Sequence, residues 1–102
     1  MNYLNGKLIR DKYIDIIDKK DLTFCENDDT LKFLYLYNKI NEELGELKDT
    51  VFNDVYEFAD VIESLYAMAK FQGISIEDIN LAREKKNLDK GSFNSFLILK
   101  NV

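Results

Sequence analysis

Two acidic pairs are the residues of this chain best placed, by type and spacing, to do chemistry. Glu43 and Glu46 stand in Glu43-Leu44-Gly45-Glu46, and Glu57 and Asp60 stand in Glu57-Phe58-Ala59-Asp60. Spacing of i,i+3 puts both members of a pair on one helix face, about 5–6 Å apart at Cβ. Both pairs lie in apolar sequence of helical period, where an uncompensated charge is costly to bury. Bound cations would explain four such carboxylates, and hard oxygen donors suit Mg²⁺. Ions of that kind suit phosphate chemistry, because they neutralise phosphate oxygens, orient the substrate and activate water. The competing reading is a pair of solvated helix faces, on which i,i+3 acidic pairs are common. Among neighbouring acids, Glu42 reads as surface charge, while Glu63, one turn beyond Asp60, is a further candidate for the site.

Helices must position these residues. Residues 11–20 predict a short helix with Ile14, Ile16 and Ile17 as apolar contacts, and Asn27, Asp28, Asp29 and Thr30 form a turn and helix-start cluster. A long helix is predicted over 31–48, with Leu31, Leu34, Leu36, Ile40, Leu44 and Leu47 among its apolar positions. Asn53 is a plausible N-cap for a second long helix reaching about residue 72, and Gly73 sits where a C-terminal glycine belongs. Ser75-Ile76-Glu77-Asp78 resembles a capping box and opens a helix over 76–88, ended by Gly91. The apolar tail from Phe93 to Leu99 is partly β-like and predicts a short strand packed on the N-terminal segment. The expectation is one all-α domain over 1–102, a bundle of about four helices. Two long helices joined by a short loop pack antiparallel, which brings the two acidic pairs together near the turn. Both helices are apolar over more than one face, so a homodimer or higher homo-oligomer is expected.

Composition narrows the function classes. The chain has 102 residues, 46% of them hydrophobic, which suits one folded domain rather than a disordered segment. No apolar run approaches the roughly 18–20 residues needed to span a membrane, and the opening residues lack the apolar stretch of a secretory signal. Cys25, the single cysteine, makes no internal disulfide, which suits a reducing compartment, read as cytoplasmic. With no histidine in the chain, Cys25 lacks the usual activating base, and a typical zinc site is disfavoured. Net charge is −5 and unevenly spread: residues 26–63 carry −8, while residues 1–20 and 70–102 carry +2 each. An acidic middle does not suit a DNA or RNA polymer, which wants a basic stripe. It suits cations held in the middle, with phosphate-binding side chains supplied from the ends. Arg83, Lys85, Lys86 and Lys90 form one such basic group; Lys7, Arg10 and Lys12 form another. A bland account of the first group is complementation of a helix C-terminal dipole.

Taken together, these residues resemble the all-α nucleoside triphosphate pyrophosphohydrolases, the MazG-like and phosphoribosyl-ATP pyrophosphohydrolase-like superfamily. The acidic quartet resembles its metal motif. Lys7-Leu8-Ile9-Arg10-Asp11-Lys12 looks like the Lys-Leu-Val-Arg-Asp-Lys opening of small single-domain members. Ala59-Asp60-Val61-Ile62-Glu63, Gly73-Ile74-Ser75 and Lys90-Gly91-Ser92-Phe93 follow in matching order. Tyr13 stands where that opening usually continues with proline, and Ser92 interrupts a Gly-Gly-Phe stretch. The resemblance implies a helical fold and hydrolysis of the α–β phosphate bond of a nucleotide, giving a monophosphate and pyrophosphate. It implies Mg²⁺ dependence, with Mn²⁺ as a substitute. By the same resemblance Glu43, Glu46, Glu57 and Asp60 are metal ligands and catalytic residues. Lys86, Lys90, Arg83 and Arg10 are the candidate substrate contacts. A non-catalytic helical nucleotide-binding or protein-interaction module is the alternative.

Overall fold

The computed structural model describes residues 4–25 and 27–101; Met1–Tyr3, Glu26 and Val102 lie outside the described residues. Three α-helices account for the regular structure: α1 (Asp29–Asp49), α2 (Val55–Phe71) and α3 (Ile76–Lys90). Local chemistry sets each boundary. Asp28 caps α1 by accepting from the Leu31 amide at 3.1 Å. Asp54, rather than Asn53, caps α2, accepting from the amides of Tyr56 at 2.8 Å and Glu57 at 3.3 Å. Ser75 Oγ accepts from the Asp78 amide at 3.0 Å and opens α3. At the end of α2, Gly73 adopts φ +78°, its amide donates to the Lys70 carbonyl and the Ile74 amide to the Ala69 carbonyl. That is a Schellman termination, which glycine adopts without a Cβ penalty.

The predicted first helix over 11–20 is absent. Two short 3₁₀ turns stand there instead, Asp11–Asp15 and Lys19–Asp21, with no buried residue in either. A ten-residue segment without a packed face cannot offset the cost of helix nucleation. Among the described residues, three α-helices therefore stand in place of the expected bundle of about four. The predicted strand in the tail is also absent: no strand occurs among the described residues, and Phe93, Phe96, Leu97 and Ile98 are all at least 80% exposed. An apolar segment with no strand beside it has no ladder to join.

Packing is dominated by α1 against α2, and α3 touches α2 far more lightly. Leu36, Glu43 and Leu47 are the buried residues of α1 and fall on one stripe of the helix. On α2 the buried residue is Ser64, whose hydroxyl donates to the Val61 carbonyl at 2.7 Å. A carboxylate therefore occupies the core stripe between two leucines, where an apolar side chain would ordinarily stand. The loop that closes the pair is bonded back on α1, with Thr50 Oγ1 donating to the Leu47 carbonyl at 2.7 Å and the Phe52 amide to the same carbonyl at 3.1 Å. Val51 and Phe52 within it both take left-handed backbone, φ 55° and 56°.

No helix among the described residues is long and apolar enough to cross a membrane.

Candidate metal centre

The loop 50–54 is short, so the C-terminal part of α1 and the N-terminal part of α2 meet beside it. Glu43 comes from α1, and Glu57 and Asp60 come from consecutive turns of α2. One carboxylate oxygen from each of the three lies within 4.8 Å of the others. Glu43 is 7% exposed. Its Oε1 receives the Lys39 Nζ at 3.1 Å, while its Oε2 is buried with no hydrogen-bond partner. Glu57 is half-buried, and its Oε2 is likewise buried and unpartnered. Asp60 Oδ1 receives Arg10 Nη2 at 2.6 Å.

Glu46 stands apart from the trio. Its side chain is exposed at the rim, beside Glu43 and Glu57. Repulsion from Glu43 is the main reason its carboxyl is held above the ordinary range, helped by partial desolvation and the charges of Glu57 and Glu42. Desolvation is the main cause of an upward shift at Glu57, followed by the charges of Asp60, Asp54 and Glu43. Two carboxyls that resist ionising, beside two buried oxygens without partners, describe a pocket short of positive charge. With all four acids ionised, Lys39 and Arg10 offset half the negative charge, and the remainder equals that of one divalent cation. Three converging carboxylates and no nitrogen or sulfur donor fit a hard ion such as Mg²⁺ or Mn²⁺.

Glu42 is half-buried rather than plain surface charge. Lys7 Nζ reaches its Oε1 at 2.9 Å and Lys39 Nζ its Oε2 at 3.2 Å. Burial opposes ionisation there, but the hydrogen bonds from Lys7 and Lys39 outweigh it and hold the carboxyl below its ordinary range. Both oxygens are thus taken by lysines. Glu63 is exposed and outside the trio. The important residue that sequence reasoning missed is Lys39, which neutralises Glu42 and Glu43 together. Its signal was present, because Lys39 stands at i,i+3 and i,i+4 from these acids.

The basic candidates separate. Arg10 sits on the acidic site. Arg83, Lys86 and Lys90 line an open groove at the far end of α3 with Asn87, Ser92 and Phe93. Among the described residues none of these three makes an ion pair with the four acids. The chain path explains the separation: α3 follows the end of α2 at Phe71, about 16 Å along the helix from Asp60.

Comparison with protein-family models, with curated proteins and with solved structures finds no match to this chain.

Proposed function

We propose that this chain is a Mg²⁺-dependent nucleotide pyrophosphohydrolase that cleaves the bond between the α and β phosphates of a nucleoside triphosphate or related nucleotide. The observation that carries the reading is the buried, unpartnered Oε2 of Glu43, on a residue one of whose carboxylate oxygens lies within 4.8 Å of oxygens of Glu57 and Asp60 on the neighbouring helix. Glu43, Glu57 and Asp60 hold the ion, with Glu46 at the rim completing the quartet. A divalent cation there supplies the positive charge that phosphate oxygens and a leaving pyrophosphate require. A carboxylate serves as general base, since the chain has no histidine. Glu46 is placed for that task, because it stands exposed at the rim beside the three converging acids and outside their trio. Lys39 keeps Glu43 in place, and Arg10 meets phosphate.

The reading includes an antiparallel α1–α2 pair and assembly into a homodimer or higher homo-oligomer. Accessible surface is 9278 Å², whereas a compact 12.0 kDa monomer exposes about 6,000 Å². The radius of gyration is 17.2 Å, against about 13 Å for a compact chain of this length. The excess is of the size that obligate interfaces bury. In such an assembly Arg83, Lys86 and Lys90 of one copy reach the acids of another. Light scattering at micromolar concentration tests it, and a 12.0 kDa particle would contradict it.

Separation of the α3 cations from the acids within one chain favours the second reading, a non-catalytic nucleotide-binding module. A panel of nucleotides incubated with Mg²⁺, with products identified by phosphorus NMR, decides between them. Monophosphate and pyrophosphate support the enzyme, orthophosphate rejects the bond assignment, and binding without turnover supports the module. Asp60→Asn is expected to lower kcat about 100-fold or more.

A further inference from the structure

Arg10 approaches the acids from outside the helix pair. Its guanidinium makes the one ion pair of Asp60 among the described residues, at 2.6 Å. The charges of Glu63 and Glu43 also act on it, more weakly than that of Asp60. The segment that carries it is lightly held. Residues 5–7 and 10–21 are exposed, and the 3₁₀ turn that follows Arg10 buries nothing. The contacts that tie the segment to α1 include Lys7 to Glu42 at 2.9 Å and the Tyr35 hydroxyl donating to the Asn5 carbonyl at 2.6 Å. These contacts lie off the metal trio, so the strap can stay docked while the Arg10 side chain swings.

We infer that Arg10 is a resident counter-ion: it neutralises Asp60 in the metal-free protein, leaves that carboxylate when a divalent cation binds, and then contacts the anionic substrate. The inference rests on the metal-site reading and adds an order of events to it. The reason is electrostatic. A guanidinium and a divalent cation compete for the same carboxylate and repel one another at contact distance. The guanidinium is more than half exposed, so its pair with Asp60 is screened and weak enough to exchange. Once free, its planar fork matches phosphate oxygens. The alternative role, a group that orients Asp60 toward the ion, predicts the opposite sign on removal.

The test is titration calorimetry of Mg²⁺ into wild type, Arg10→Gln and Lys7→Gln, followed by pyrophosphate into each protein saturated with Mg²⁺. Arg10→Gln is expected to bind Mg²⁺ about fivefold more tightly and pyrophosphate about fivefold more weakly. Lys7→Gln, which loosens the same strap away from the trio, is expected to change Mg²⁺ affinity less than about twofold. In wild type, the Arg10 side-chain Nε–H resonance is expected to shift on saturation with Mg²⁺. Equal or weaker Mg²⁺ binding by Arg10→Gln, an equal gain in Lys7→Gln, or an unmoved Arg10 resonance would overturn the competition while leaving the metal site standing. Unchanged pyrophosphate affinity would overturn the handover to substrate. No Mg²⁺ uptake by wild type would overturn both the competition and the metal reading.

Discussion

Glu43 on α1 and Glu57 on α2 each present a buried Oε2 with no hydrogen-bond partner, and one oxygen from each lies within 4.8 Å of the other. Two carboxylates facing one another across a helix interface repel unless a proton or a cation stands between them. The expected response to pH and the proposed affinity for metal both follow from that relationship.

The first prediction concerns pH in a chelator. Glu57 and Glu46 are shifted above the ordinary carboxyl value of 4.5 in the folded chain. A raised folded pKa contributes stability that is fully present below the unfolded value and lost as pH rises through the folded one. Glu42, shifted down, contributes in the opposite sense: its stability is present above 4.5 and lost as pH falls through its lowered value. Thermal melts in chelator are therefore expected to show the Tm falling as pH rises from the carboxylate range toward neutrality. Glu57→Gln should flatten that slope. Parallel slopes in the two proteins would contradict the shift at Glu57.

A second prediction separates the cap of α2 from its charge. Asp54 accepts from the Tyr56 and Glu57 amides and so fixes the turn that carries Glu57. Asp54→Ala is expected to cost about 1 kcal/mol in urea unfolding, and Asp54→Asn only a few tenths, because asparagine caps as well as aspartate. Asp54→Ala should also weaken Mg²⁺ binding more than Asp54→Asn, since both remove the charge but only alanine frees the turn. Equal stability in the two variants would show that the cap does not hold the turn.

The third prediction tests the loop. Val51 is 81% exposed, so it has little packing to lose, yet it holds a left-handed φ of 55°. A β-branched residue pays about 1–2 kcal/mol for that conformation, and asparagine tolerates it. Val51→Asn is expected to raise stability by about 0.5–1 kcal/mol in urea unfolding. A loss of stability would mean that the valine side chain packs against something that offsets its strain.

The three helices were legible because their apolar positions recur with helical period and because Asp28, Ser75, Gly73 and Gly91 punctuate them. The α2 cap was misplaced by one residue, from Asp54 to Asn53, since both are good caps and only the backbone geometry chooses. Residues 11–20 misled because isoleucines suggested a helix face, whereas Ile16 is 73% exposed and neither 3₁₀ turn of the segment holds a buried residue. At the site, i,i+3 spacing identified the acids but not their orientation. Three residues advance about 300° around a helix, so Glu46 points about 60° away from Glu43. Glu43 faces α2 while Glu46 turns to the rim, a difference that only the packing angle of the two helices settles. Lys39 went unnoticed because a lysine beside glutamates on a helix usually marks a solvated pair; burial of Glu43 makes this one different. The place of Arg83, Lys86 and Lys90 depends on where α3 lies relative to α2, which spacing along the chain does not encode.

Mg²⁺ titration calorimetry on wild type, Glu43→Gln and Glu46→Gln tests the central claim most directly. In the proposed site Glu43 is the buried ligand and Glu46 stands at the rim. Wild type is expected to bind the ion, Glu43→Gln to bind at least about tenfold more weakly, and Glu46→Gln to lose less. Equal affinity in wild type and Glu43→Gln, or no uptake of Mg²⁺ by wild type, would contradict the account.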